Sequence, residues 1–172
     1  MEKSHRKVRM LTEGAVCIAL AEILSFIPLY KMPWGGSVDL AMLPIILYCV
    51  RWGMKSGFVV CLAFGVLQIF VQGVLAYGWQ SILLDYIAAF TVIGVAGLFR
   101  GRERGIFWGT LLGAAARFAV HFISGITIYR ILAPTELFNT TFTSPWMYSL
   151  AYNGSYVAID TAICLIIFAA LD

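Results

Sequence analysis

Six apolar runs, at residues 10–29, 38–50, 57–76, 80–99, 106–129 and 147–171, take up most of this chain, and the segments between them carry most of its charge. A helix crossing the roughly 30 Å hydrocarbon core of a bilayer needs about 20 apolar residues, so the pattern reads as a series of membrane spans. Charged residues make up 12% of the 172 positions, against about 25% in a soluble domain. With 61% hydrophobic residues and a mean hydropathy of +0.88, most of the surface must face lipid. The expected fold class is an all-α integral membrane protein, a single six-helix domain over residues 1–172. The basic start, Met1 to Arg9, runs into an apolar stretch too long for a signal-peptide core and without a cleavage site, so it reads as the first helix.

The run at 38–50 is short and contains Pro44, so charge must decide whether it crosses. Lys and Arg collect on the cytoplasmic side of short loops. With six spans and both termini cytoplasmic, Lys3, Arg6, Lys7, Arg9, Arg51, Lys55, Arg100, Arg102 and Arg104 all lie inside, nine of the 12 basic residues. Without a crossing at 38–50, Arg51, Lys55 and the Arg100–Arg104 cluster would be external. The longest loop, 130–146, is then outside and long enough to fold over an external opening.

Sequence motifs exclude several classes of function. There is no G-x-x-x-x-G-K-[ST] phosphate loop, so ATP-driven work would fall to partners. Cys17, Cys49, Cys61 and Cys164 are scattered singly and read as small buried hydrophobes rather than metal or redox ligands. No H-E-x-x-H or G-x-S-x-G motif is present, and His121 has no Cys or Ser at a suggestive spacing. The expectation is a non-enzyme with no metal, no cofactor and no nucleic-acid partner.

Ionisable groups inside a bilayer are costly and mark a site or a pair. Asp85, five residues into the fourth span, and His121, near the outer end of the fifth, fall at one depth. Tyr148 and Asn153 in the first turns of the sixth span share that depth, as do Trp34 and Asp39 beside the Gly35–Gly36 turn. Together they could line one pocket open to the exterior. Asp85 could instead pair with Arg117, and His121 could be a packed core histidine. Tyr77, Trp79, Trp108 and Trp146 read as interfacial belt residues. Glu13 is expected to meet the basic inner loops, and Glu22 and Asp160 to share Arg117 as a buried partner. Tyr148, Tyr152, Tyr156 and Asp160 recur every four residues on one helix face, and Asn153 lies off it by more than a right angle.

The stretches Met32-Pro-Trp-Gly-Gly-Ser-Val, Leu84-Asp-Tyr-Ile-Ala-Ala-Phe, Arg117-Phe-Ala-Val-His-Phe-Ile-Ser-Gly and Tyr148-Ser-Leu-Ala-Tyr-Asn resemble the thiamine-specific S-component family (ThiT) of energy-coupling factor vitamin transporters. The resemblance runs from about Leu11 to the end. It implies a multi-pass protein of the bacterial cell membrane that captures thiamine at the outer face. Delivery inward would use a transmembrane coupling protein and two ATPase subunits. Carried over by motif, Asp85 takes the place of the binding carboxylate, with Tyr86 beside it. His121, Tyr148 and Asn153 stand at matching positions, Trp34 and Asp39 align in the first loop, and Tyr129 occupies an aromatic place. The Ala15-x-x-x-Ala19 pair resembles the docking motif for the coupling protein, within a small-residue surface that includes Gly14 and Ala21. Two departures stand out: Asp replaces the more common Glu at position 85, and the segment 136–144 is longer than usual and lacks a Lys-Gly after Ala133–Pro134.

The residue chemistry agrees with this resemblance. Thiamine carries a permanent cation and a hydrogen-bonding aminopyrimidine, and a cation wants aromatic faces and a nearby carboxylate. Tyr129, Trp34, Asp39 and Asp85 supply both, while His121, Asn153 and Tyr148 can stack or orient polar edges. His121 and Tyr129 are about 80° apart on one helix, with Gly125 between them expected to leave room for a flat ring. Three alternatives stand beside this reading: an S-component for another vitamin or a thiamine precursor, a small intramembrane enzyme, and a non-transporting scaffold.

Overall fold

The computed structural model describes residues 2–32, 36–71, 78–128, 136–137 and 140–171. Its helical segments are α1 (Glu2–Ser25), α2 (Met42–Trp52), α3 (Met54–Val71), α4 (Trp79–Phe99), α5 (Gly105–Thr127) and α6 (Pro145–Leu171). Two antiparallel hairpins of two-residue strands lie in the loops: β1 (Tyr30–Lys31) with β2 (Ser37–Val38), and β3 (Glu136–Leu137) with β4 (Thr140–Thr141). The all-α class holds, with these hairpins added. By length and apolarity α3, α4, α5 and α6 can each cross a membrane. Helix α1 has 24 residues with a strongly basic first third, whereas α2 has 11, which gives it a length of about 16 Å.

Lipid as the outer solvent explains the distribution of side chains. Phe70, Val59, Ile166 and Leu171 point outward and are more than two-thirds exposed, while Asp160, Ser81, Thr110, Arg117 and Gln68 are buried. A soluble protein has the opposite arrangement. Cys49, Cys61 and Cys164 are buried free thiols and Cys17 is half-buried, in keeping with a packing role.

Local chemistry moves two boundaries from their expected places. Helix α2 begins at Met42 rather than near Val38, because Val38 pairs in β2 and the Asp39 carboxylate accepts the Ala41 N–H at 2.9 Å and the Ser37 hydroxyl at 2.7 Å. Pro44 then falls in the first helical turn, where its missing N–H costs nothing. Helix α1 stops at Ser25, whose hydroxyl bonds back to the Glu22 carbonyl at 2.7 Å, three residues before Pro28. Between α2 and α3 a single residue makes the joint. Gly53 sits at φ 90° and donates its N–H to the Cys49 carbonyl at 2.7 Å, a backbone conformation that a side chain resists.

Helix α4 is irregular where it matters most. It is π-helical over Ile82–Ala88 and tightens to 3-10 over Val92–Phe99. π segments are rare and concentrate at functional sites. A Cβ on Gly65 of α3 would lie 2.7 Å from the Tyr86 carbonyl oxygen, so α3 presses on the π segment with no room for a side chain.

Ion pairs fix which helix ends lie together. Glu13 of α1 accepts from Arg51 Nε at 2.6 Å and Nη2 at 3.0 Å, from the Trp52 indole at 2.7 Å and from Arg9 at 2.8 Å. Arg100, at the end of α4, donates to the Trp52 carbonyl at 3.2 Å. The start of α1 and the ends of α2 and α4 therefore share one basic end of the bundle, as expected for Glu13. At the other end, the β1–β2 hairpin meets α6: the Gly36 N–H donates to the Tyr152 hydroxyl at 3.2 Å, and the Asp39 N–H to Asp160 at 3.0 Å.

Candidate substrate-binding site

The π segment of α4 carries Asp85 toward α5. Its carboxylate accepts the Ser81 hydroxyl at 2.8 Å, and its other oxygen lies 3.3 Å from Nδ1 of His121. Both side chains are nearly buried, 15% and 11% exposed. With the Nδ1 proton directed at Asp85, the far ring nitrogen of His121 is an acceptor, and in the protonated ring it is a donor. That nitrogen, Nε2, is buried and has no hydrogen-bond partner among the described residues. A buried polar atom left in this way costs free energy unless something else bonds to it.

Helix α6 completes the cluster. Asn153 donates to the His121 carbonyl at 3.2 Å and to the Ser149 hydroxyl at 3.1 Å, and its amide oxygen accepts the Tyr156 hydroxyl at 3.0 Å. The Tyr156 ring stands edge-on to His121 with centroids 5.9 Å apart. Below it the aromatic run continues, Tyr152 against Tyr156 at 6.0 Å and Tyr148 stacked on Tyr152 at 5.7 Å. Phe142, just after β4, meets Tyr148 edge-on at 6.1 Å, and Leu137 of β3 is buried. Part of the 130–146 loop thus lies against the start of α6.

The structure brings Asp85, His121 and Asn153 into one network, with Tyr148 on the adjoining aromatic face and Tyr86 half-buried next to Asp85. Asp39 is buried near Asp160, its carboxylate bonded within its own loop. Trp34 and Tyr129 lie outside the described residues. One alternative and two expectations need correction. Arg117 does not reach Asp85: its Nη1 pairs with Asp160 at 3.4 Å and its guanidinium lies 5.0 Å over the Phe90 ring. Glu22 pairs with no arginine among the described residues but accepts from Gln68 at 3.3 Å. Gly125 does not open space for a ring, because a Cβ there would strike the Ser149 side chain and approach the Asn153 amide at 3.1 Å. Its absent side chain lets α5 and α6 close together.

Three members of the network are not among the expected site residues: Ser81, Ser149, which accepts from the Asn153 amide, and Tyr156. Ser81 stands four positions before Asp85, on the same helix face, where a hydroxyl can orient the carboxylate. The sequence spacing puts Tyr156 on the tyrosine face and Asn153 off it, but the every-fourth spacing drifts about 40° per step. By Tyr156 the drift has brought the two within hydrogen-bonding reach.

Along α1 the small residues divide. Gly14 and Ala21 are buried, with Val60 Cγ2 3.0 Å from where a Gly14 side chain would begin, while Ala15 and Ala19 lie exposed on the outer face.

Helices of this length and apolarity, closed around a buried polar cluster, define the class: a multi-pass helical membrane protein with an internal polar site. The family model described as Thiamine transporter protein (Thia_YuaJ) matches residues 11–172. The chain belongs to that family, whose named members are transporters rather than enzymes, in the bacterial cell membrane. The protein described as Thiamine transporter ThiT of Bacillus subtilis (strain 168) is 34% identical over 99% of this chain and 93% of its own length. A protein of the same description from Lacticaseibacillus paracasei is 26% identical over 98% of this chain and 89% of its own. A solved structure described as ThiT from Listeria monocytogenes superposes with a TM-score of 0.84 at 22% identity, covering 96% of this chain and 94% of that one, which establishes the fold.

Proposed function

We propose that this protein is the thiamine-binding S-component of an energy-coupling factor importer. The observation that carries the reading is the Asp85–His121 couple, buried beside a run of three tyrosines, with His121 Nε2 left without a partner among the described residues. Asp85 supplies the negative charge a thiazolium cation needs or bonds the aminopyrimidine. The tyrosine faces suit a flat cationic ligand, each such contact contributing about 0.5 to 2 kcal/mol. Ser81 holds the Asp85 carboxylate, and Asn153 bonds the backbone carbonyl of His121. Tyr86, Tyr148, Trp34 and Tyr129 belong to the same binding surface by motif, and Asp39 contributes through the first loop that it shapes.

Six crossings with both termini cytoplasmic fit this role. The gathering of Arg9, Arg51 and Arg100 at one end of the bundle supports that orientation by the positive-inside rule. The site then opens toward the exterior, where the vitamin is captured. The exposed Ala15 and Ala19 present a small-residue face to a transmembrane coupling protein, and two ATPases supply the work. Affinity-purified protein from cells grown with thiamine, denatured and analysed by mass spectrometry, should release thiamine in near-equimolar amount. Release of a free pyrimidine or another vitamin instead would reassign the ligand, and a clean folded protein that releases none would remove the reading.

A further inference from the structure

At the end of the bundle opposite the Asp85 cluster, His5, Arg6, Arg9, Arg51, Trp52 and Arg100 surround a cavity of about 470 Å³. Four arginines line it, and Glu13 is the acid paired with them among the described residues, through Arg9 and Arg51. Those bonds, together with the Arg100 bond to the Trp52 carbonyl, fix the orientation of three arginines before any ligand arrives. A guanidinium carries five N–H donors, so those that these bonds leave over suit the tetrahedral, polyanionic surface of a phosphate. A cationic solute such as thiamine would be repelled here, so this cavity is not a second copy of the other site.

We propose that this cavity binds the phosphate of an anionic phospholipid in the leaflet at that end of the bundle. The cavity sits where helices α2 and α4 pass from apolar sequence into arginine, with the Trp52 indole at the boundary, the level at which headgroups lie. Basic pockets between helices at this level recognise anionic headgroups. Leu11, Leu47 and Leu98, each within about a turn of a cavity arginine, are about half exposed or more, giving acyl chains an apolar surface that continues from the headgroup. A soluble phosphate would have no use for it.

Native mass spectrometry of the delipidated, detergent-purified protein tests the assignment, using phosphatidylglycerol, phosphatidylcholine and inorganic phosphate as probes. Phosphatidylglycerol adducts should survive at collision energies that strip phosphatidylcholine. The Arg6→Gln/Arg100→Gln double variant, checked by monodisperse elution, should lose phosphatidylglycerol affinity by about thirtyfold, the effect of two basic residues near an anionic headgroup, and Lys at both positions should restore part of it. Equal retention of the two lipids by the unmodified protein would overturn the proposal without reference to any variant. So would a monodisperse double variant that keeps its phosphatidylglycerol. Displacement of the lipid by inorganic phosphate at equal concentration would make the cavity a soluble-anion site and end the lipid assignment.

Discussion

Asp85 and His121 meet across the α4–α5 interface with 3.3 Å between a carboxylate oxygen and Nδ1, both side chains nearly out of solvent. The contact depends on the π-helical stretch that carries Asp85 and on Ser81, which holds the second carboxylate oxygen.

Asp85→Asn keeps the size of the side chain and removes its charge. Thiamine affinity should fall by about 1.5 to 3 kcal/mol, the range for hydrogen bonds to charged groups. Calorimetry on the folded variant checks this, and parental affinity would take Asp85 out of the site.

Tyr156→Phe removes only the hydroxyl that bonds the Asn153 amide oxygen at 3.0 Å. The ring contact with His121 should survive while Asn153 loses one of its constraints, weakening thiamine binding by about 1 kcal/mol. A variant that binds as tightly as its parent would confine Tyr156 to packing.

Ala15 and Ala19 are exposed on α1, away from the polar cluster. Leu at both positions should block close helix approach, lowering thiamine uptake in cells and recovery of the coupling protein in pull-downs, with ligand affinity in purified protein unchanged. Loss of ligand affinity instead would mean that this face packs within the protein itself.

Arg117→Met leaves Asp160, fully buried, without its guanidinium. Breaking a buried pair in this way costs about 3 to 5 kcal/mol, which should appear as a large drop in Tm in detergent. Pairing it with Asp160→Asn, which removes the charge and still accepts the Asp39 N–H, should recover much of that loss. If the single variant melts like its parent, the pair contributes no net stability.

Much of this was legible in the sequence, for physical reasons that also mark where legibility stops. Apolar runs announce helices because lipid tolerates little else, and all six runs correspond to helical segments. Depth along a helix follows from residue number, so Asp85, His121 and Asn153 could be grouped before any coordinates. Rotation about the axis is harder. The π segment at Ile82–Ala88 shifts the phase of α4, and the drift of a four-residue repeat hid the meeting of Tyr156 with Asn153. Gly125 looked like space for a ligand, yet only a neighbouring helix shows whether a missing side chain leaves a gap or lets a backbone in. Arg117 had three carboxylates within plausible reach, and of the two expected partners, Glu22 and Asp160, only Asp160 meets the guanidinium, because Gln68 bonds Glu22.

The most direct test of the central claim is a calorimetric titration of the purified, detergent-solubilised protein with thiamine, run beside its free pyrimidine moiety. Saturable one-to-one binding of thiamine, tighter than that of the pyrimidine fragment and accompanied by quenching of tryptophan fluorescence, is the predicted result. A folded, monodisperse protein that shows no saturable heat with thiamine would contradict the account.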